Sequence, residues 1–171
     1  MRSQEGMYSM TGQSKKGYIP IGQTSDGKDF FSEAMPANIF KLEHEAAKDF
    51  WERLVSAEAR SYFQLPDNHP IAKSNREALG SWVKAYNDDD NKPVQKILMA
   101  KIPWVPSQEV FFLAGRTNVL SCLWSEFLEY WDCFIAFSDE CPLITFPGAD
   151  QYLIFYPSGE FLRINTSASC T

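Results

Sequence analysis

A run of large apolar side chains near the C-terminal end constrains the fold of this 171-residue chain more than any other feature. Within residues 120–131 the apolar residues recur at steps of three and one, with polar or small residues between them. The apolar positions are Leu120, Leu123, Trp124, Phe127, Leu128 and Trp131. This spacing is the 3.6-residue period of an amphipathic helix, so it predicts a helix with one buried face. The period changes after Asp132, and residues 133–137 predict a short strand.

The residues after this helix predict an antiparallel meander. Three segments rich in β-forming residues, 142–146, 151–156 and 160–165, are separated by turn signals. In the last turn Pro157 fits the first central position, and Gly159 supplies the positive φ that closes a hairpin. Because residues 151–156 are apolar on both faces, we expect an inner strand that helices cover on at least one side.

The N-terminal half predicts two helices. Residues 38–63 place apolar side chains at helical spacing and charged side chains on the opposite face, which predicts the first helix. Ser74 is followed three residues later by Glu77, the pattern of a capping box, and residues 79–86 then supply an apolar stripe for a second helix. Residues 94–102 are ambiguous between helix and strand.

Extended segments and the chain organisation complete the fold prediction. Residues 18–21 predict an extended piece that its proline restricts to a sheet edge, and residues 109–114 predict a buried strand. Residues 1–17 contain no Leu, Ile, Val, Phe or Trp, so we expect a disordered or loosely attached tail. Residues 18–171 then form a single α+β domain, in which N-terminal helices pack on a C-terminal antiparallel β-meander.

Charge and hydropathy limit the classes of partner. The net charge of −6 and the isoelectric point near 4.9 argue against binding to nucleic acid or to an anionic membrane, and they favour a basic protein partner. No run approaches the roughly 18 apolar residues of a membrane span. The first seventeen residues lack the apolar core of a signal peptide. We therefore expect a cytoplasmic protein.

Patterns that would indicate catalysis, a cofactor or a metal fail when tested. His44 opens the segment HEAAK, where Lys48 replaces the second histidine of a zinc-protease motif. The glycine-rich phosphate-binding patterns are missing, and the cysteine spacings match no zinc site. We predict no catalytic residue, no cofactor and no metal, and we interpret the cysteines as buried apolar residues or surface thiols. They are Cys122, Cys133, Cys141 and Cys170.

Two acidic clusters are the candidate binding features. The simplest interpretation makes the first a solubilising loop and the second a brace for a turn; the functional interpretation is a docking surface for Lys and Arg of a partner. Exposed aromatic side chains nearby are candidate anchors. The predicted partner-binding residues are Asp88, Asp89, Asp90, Asp139, Glu140, Trp104 and Tyr130.

Residues 109–165 carry a pattern that resembles known families. A W-x2-F-x3-W helix is followed by an acidic turn, by Pro-Leu-Ile and by Tyr-Pro-Ser-Gly-Glu. This pattern resembles bacterial proteins of the DUF2947 type and the immunity proteins of contact-dependent and polymorphic toxin systems. The resemblance implies a non-enzymatic protein that neutralises a cognate toxin, a nuclease among the candidates, by occluding its basic cleft.

Two alternatives remain open at this point. The chain is also compatible with a small enzyme or ligand-binding domain that uses a pocket between the aromatic helix and the sheet. In that version Cys141, close to Asp139 in sequence, is the natural nucleophile to test. A structural subunit without a ligand is the third possibility.

Overall fold

The computed structural model of the protein describes residues 15–31, 38–138 and 140–166. Within these residues eight strands form one sheet. They are β1 (Tyr18–Pro20), β2 (Phe40–Leu42), β3 (Arg76–Ser81), β4 (Glu109–Gly115), β5 (Asn118–Leu123), β6 (Leu143–Thr145), β7 (Gln151–Phe155) and β8 (Glu160–Asn165). The strand order is β1-β2-β5-β4-β6-β7-β8-β3, and every neighbouring pair is antiparallel.

Helices cover both faces of this sheet. In the described part of the chain they are α1 (Ser25–Phe30), α2 (His44–Leu54), α3 (Pro70–Lys73), α4 (Val83–Asn87), α5 (Lys92–Lys101) and α6 (Trp124–Phe137). One core cluster contains residues of α4, α5 and α6, and the other contains residues of α2 and α3. The protein is therefore a mixed α and β fold with the sheet as its middle layer.

Strand β4 shows how the sequence separates the two cores. Val110, Phe112 and Ala114 belong to the cluster under α6. Phe111 and Leu113 belong to the cluster under α2. Successive side chains of a strand point to opposite faces, so a continuous run of apolar residues serves both cores at once.

Helix α6 carries the aromatic stripe that the sequence predicts. Trp124, Phe127 and Trp131 are at most 1% exposed, and the planes of the Trp124 and Phe127 rings stack with centroids 5.6 Å apart. The helix bends at Tyr130, where φ is −115° and ψ is 21°. The bend lets the apolar stripe continue through Phe134, whose ring centroid lies 5.2 Å from that of Phe112.

The opposite face is closed by α2. Trp51 is fully buried there, and its indole Nε1 donates a hydrogen bond to the Ala59 carbonyl oxygen at 2.6 Å. Phe50 stacks on Phe111 of β4, with ring centroids 4.1 Å apart. The indole hydrogen bond also fixes the loop that follows α2, which brings Arg60 to the end of the sheet.

Three predictions about secondary structure are wrong. Residues 133–137 continue α6 instead of forming a strand. The predicted helix over residues 38–63 is a helix only at His44–Leu54, and Phe40–Leu42 is strand β2. The predicted capping box at Ser74 precedes strand β3 rather than a helix. In each case pairing or packing with distant parts of the chain decides between two local patterns of similar strength.

The C-terminal meander is confirmed, but it is only part of the sheet. Strands β6, β7 and β8 pair in sequence order, and β7 is an inner strand as expected. Gly159 closes the last turn with φ of 111°. Residues from the first half of the chain add β1 and β2 at one edge and β3 at the other, so the N-terminal half contributes strands as well as helices.

The two edges of the sheet are short or irregular. Strand β1 has three residues and ends in Pro20, which confirms the predicted edge position. Strand β3 pairs with β8 through a register shift between Ala78 and Gly80. The prediction of a tail over residues 1–17 falls mostly on residues 1–14, which lie outside the described residues.

Candidate functional site

Two clefts lie side by side at the C-terminal end of α6. Ser138 and Glu140 line both of them, so these two residues form the ridge between them. The Glu140 amide donates to the Ser138 hydroxyl at 3.4 Å, and Glu140 itself is exposed. The predicted partner residue Asp139 lies outside the described residues.

The smaller cleft, of about 210 Å³, is named the aromatic cleft. Its lining residues are Trp82, Tyr86, Ile135, Ser138, Glu140, Pro142, Phe155, Tyr156 and Pro157. The Trp82 and Tyr86 rings meet edge to face, with centroids 5.6 Å apart and an interplanar angle of 77°. The Trp82 indole donates to the Tyr156 carbonyl oxygen at 3.1 Å, which ties α4 to the end of β7. The cleft thus combines fixed aromatic rings with one carboxylate, that of Glu140.

The acidic loop 88–90 directly follows the helix that carries Tyr86. Its three aspartates are exposed, and Asp89 adopts a positive φ of 50°. Lys84 forms an ion pair with Asp88, and this hydrogen bond raises the pKa of the lysine. Asp90 accepts a hydrogen bond from the Lys92 amide at 3.2 Å. One of the three carboxylates is therefore partly neutralised by a neighbour on the same helix.

Asn91 anchors this loop to α6. Its side-chain amide donates to the Glu129 carbonyl oxygen at 3.1 Å and to a carboxylate oxygen of Asp132 at 2.9 Å. Its own carbonyl oxygen accepts from the Trp131 indole at 3.2 Å. The acidic loop is held against the helix by these bonds, although its carboxylates face solvent.

The two predicted aromatic anchors do not join this site. Trp104 is half-buried and packs edge to face on Trp124 and Phe146, with centroids 4.9 and 5.2 Å away. Trp124 begins α6, so Trp104 packs at the opposite end of this helix from the clefts. Tyr130 sits at the bend in the middle of α6, and burial together with the Glu129 carboxylate raises the pKa of its hydroxyl.

The larger cleft, of about 630 Å³, is named the cationic cleft. Its lining residues are His44, Lys48, Arg60, Ala114, Gly115, Arg116, Thr117, Asn118, Phe137, Ser138 and Glu140. Three cationic residues from three different elements line it, Lys48, Arg60 and Arg116, although the whole chain has a net charge of −6. Sequence reasoning missed this site because Lys48, Arg60 and Arg116 are far apart in the chain and follow no local spacing.

The three cysteines among the described residues have thiols whose pKa values are raised by burial. Cys141 is 2% exposed, and its burial raises the pKa of the thiol to about 12. Burial also raises the pKa of Cys133 to about 11 and that of Cys122 well above its usual value. Since the thiolate is the nucleophile, a protonated thiol at neutral pH is a poor candidate for the proposed chemistry of Cys141. Cys170 lies outside the described residues.

In residues 15–31, 38–138 and 140–166, no cluster of three or more His, Cys, Asp or Glu side chains has a geometry that could hold a metal ion. Among these residues, none of the helices combines the length and the apolar character needed to cross a membrane.

Comparison with known proteins identifies a family. The chain matches, over residues 26–163, the model of a family described as protein of unknown function (DUF2947). No curated protein and no solved structure matches it significantly. The matched segment contains every residue that lines the two clefts, and the match carries no link to toxin immunity proteins. Because it spans well over half of the sequence, the chain belongs to the DUF2947 family.

Proposed function

We propose that the protein is a non-enzymatic binding protein whose partner is a basic protein. The observation that carries this proposal is the aromatic cleft, in which Trp82 and Tyr86 stand next to the carboxylate of Glu140. Its volume of about 210 Å³ suits one long side chain rather than a whole ligand. We therefore infer that a lysine or arginine side chain of the partner enters this cleft.

The chemistry of the aromatic cleft favours a cation. The faces of aromatic rings attract Lys and Arg head groups, and the attraction grows when the cleft excludes water. A carboxylate at the mouth adds a charged hydrogen-bond acceptor. The cleft also lies at the C-terminal end of the 14-residue helix α6, where the aligned peptide dipoles favour positive charge.

The acidic loop that follows α4 adds to the preference of this region for a cationic partner. The acidic loop 88–90 directly follows the helix that carries Tyr86, so its exposed carboxylates add negative charge to the same part of the chain. Exposed charges of this kind contribute little to affinity individually, but they speed association with a basic partner and penalise an acidic one. In its specific form the proposal is an immunity protein that covers the basic cleft of a bacterial toxin.

A peptide titration tests the binding site directly. A short lysine- and arginine-containing peptide is titrated into the full chain by calorimetry, at 50 mM and 300 mM salt. Affinity should fall at the higher salt concentration. The substitutions Tyr86→Leu and Glu140→Gln should each weaken binding by about two- to fivefold at low salt, because they remove a ring face and a charge.

The matched control is Glu58→Gln, which removes the same charge from an exposed position in the loop after α2. It should leave the peptide affinity unchanged. Equal weakening by Glu58→Gln and Glu140→Gln would contradict a defined site, because it would show only that the protein attracts cations through its net charge.

A growth assay tests the immunity form of the proposal. A toxin domain encoded beside this gene is expressed alone and together with the protein, and surviving cells are counted. Co-expression should restore growth, and Tyr86→Leu with Glu140→Gln should reduce the protection. If co-expression of the protein left cell killing unchanged for every adjacent toxin domain, the immunity form of the proposal would be refuted. The result of the peptide titration would not be affected.

A further inference from the structure

We propose that the cationic cleft binds a phosphate group. This site adjoins the proposed partner site and shares Ser138 and Glu140 with it, and the sequence gives no sign of its cations. It joins a cleft of about 630 Å³ with three cationic side chains, those of Lys48, Arg60 and Arg116.

A backbone hydrogen bond brings two of these residues together. The Arg116 amide, in the turn between β4 and β5, donates to the Arg60 carbonyl oxygen at 3.0 Å. The loop after α2 is thereby pinned to the end of the sheet, and both arginines line the same cleft. A cationic site built on two anchored backbone segments needs less ordering when a ligand binds.

Glu52 places the third cation. Its Oε1 accepts a hydrogen bond from Arg116 Nη2 at 2.5 Å, and the same oxygen lies 4.0 Å from Lys48 Nζ. One carboxylate thus holds the lysine and the arginine close to each other. Their side chains are 38% and 23% exposed, so both are partly immobilised while they remain accessible to a ligand.

The charge balance favours an anion with more than one oxygen. Among the described residues of this region, the carboxylates of Glu52 and Glu140 and the negative C-terminal end of α6 oppose the three cations. Glu52 is already engaged, and Glu140 lies on the ridge at the border. Guanidinium groups donate paired hydrogen bonds that match the geometry of phosphate oxygens, and an ammonium group adds a point charge.

The cleft has room for more than the phosphate itself. Clefts that bind small organic ligands measure about 300–1,000 Å³, and this one falls in that range. Ala114 and Phe137 contribute apolar surface, and Thr117 and Asn118 contribute polar side chains. The bound group is either free inorganic phosphate or the phosphate of a small organic molecule. Only an organic molecule would also contact the apolar and polar residues that line the rest of the cleft.

Calorimetric titration at constant ionic strength tests the assignment. Inorganic phosphate, adenosine 5′-monophosphate and succinate are titrated separately into the full chain in phosphate-free buffer. We expect binding of both phosphates and at least tenfold weaker binding of succinate. Tighter binding of the monophosphate than of inorganic phosphate would indicate an organic phosphate, and equal affinity would indicate the free ion.

Substitutions locate the bound phosphate. Arg60→Gln and Lys48→Gln should each weaken phosphate binding by about tenfold or more, because each removes a charged hydrogen-bond donor. Arg60→Lys should restore part of the affinity, since it keeps the charge but not the paired donors. Arg116 is left intact because it also braces Glu52. Lys96→Gln, at an exposed position on α5, is the matched control and should have no effect.

Three results would overturn the proposal. They are an absence of phosphate binding by the unsubstituted protein at 10 mM, succinate binding as tight as phosphate, and a loss in Lys96→Gln equal to that in Lys48→Gln. Glu140→Gln separates this site from the partner site. This substitution should strengthen phosphate binding, because it removes a repelling charge, and it should weaken binding of the basic peptide. The failure of one proposal is therefore distinguishable from the failure of the other.

Discussion

The substitution Phe134→Ala tests the part of α6 that local sequence patterns assign to a strand. Phe134 is fully buried. Its ring centroid lies 5.2 Å from the centroids of Phe31, Phe112 and Phe127, so it stands at the centre of the core under α6. These contacts exist only if the helix continues past its bend to Phe137.

The cost of the substitution follows from this environment. Removing a buried phenylalanine ring destabilises a protein by about 3–5 kcal/mol, through lost transfer free energy and the cavity that remains. Aromatic pairs add about 0.5–1.5 kcal/mol each beyond the contribution of their buried area. Because Phe134 has three ring neighbours, its cost should lie toward the upper end of the range for a buried phenylalanine. We expect the free energy of unfolding to fall by about 4 kcal/mol.

Urea denaturation, followed by circular dichroism, measures this change. With a denaturant slope of about 2 kcal/mol/M, the midpoint should fall by about 2 M at an unchanged slope. The matched control is Phe63→Ala, the same chemical change at a side chain that is 61% exposed, and it should cost less than about 1 kcal/mol. Equal losses for Phe134→Ala and Phe63→Ala would refute the extended helix and the core built around it.

Two further predictions concern the turn before β8 and a buried thiol. Gly159→Ala should lower the free energy of unfolding by about 1–3 kcal/mol, measured by urea denaturation, because φ is 111° and an added Cβ would lie 2.3 Å from Val83 Cγ2; an unchanged midpoint would contradict the turn. Stability should decline above about pH 9, because the Cys141 thiol ionises in the unfolded chain near 9.0 but has a pKa of about 12 when buried. Unfolding then releases a proton, and each such group contributes a slope of about −1.4 kcal/mol per pH unit. Cys141→Ala should show a correspondingly shallower decline between pH 9 and 10, and parallel curves would refute the assignment.

The sequence predicts best where one local pattern is unopposed. The buried strand at residues 109–114, the edge position of Pro20 and the hairpin at Gly159 follow from composition and turn chemistry alone, and all are confirmed. The helix predicted by residues 120–131 is present from Trp124, while Leu120 belongs to the preceding strand. The boundary between two elements depends on which distant strand the backbone pairs with, and the local spacing of residues does not carry that information.

Segments with two compatible patterns are where prediction fails. The capping-box pattern at Ser74 and the apolar stripe over residues 79–86 predict a helix. In the structure the exposed and half-buried positions of Arg76–Ser81 nearly alternate, and pairing with β8 supplies the hydrogen bonds of a strand. The candidate sites show the same limit. Glu140 was predicted from its acidic turn, whereas Lys48, Arg60 and Arg116 come together only through the meeting of α2, the loop after it and a hairpin. No single segment of the sequence contains the information that these three elements come together.

The edges of the sheet restrict how any partner protein can dock. Among the described residues, one edge strand has three residues and a proline without an amide hydrogen, and the other has a break in its register. Extended peptides bind sheets by adding a strand, which requires a regular row of free backbone donors and acceptors. Neither edge offers such a row. The proposed basic partner is therefore expected to bind through side chains in the clefts and loops, and its binding is expected to be sensitive to single substitutions there.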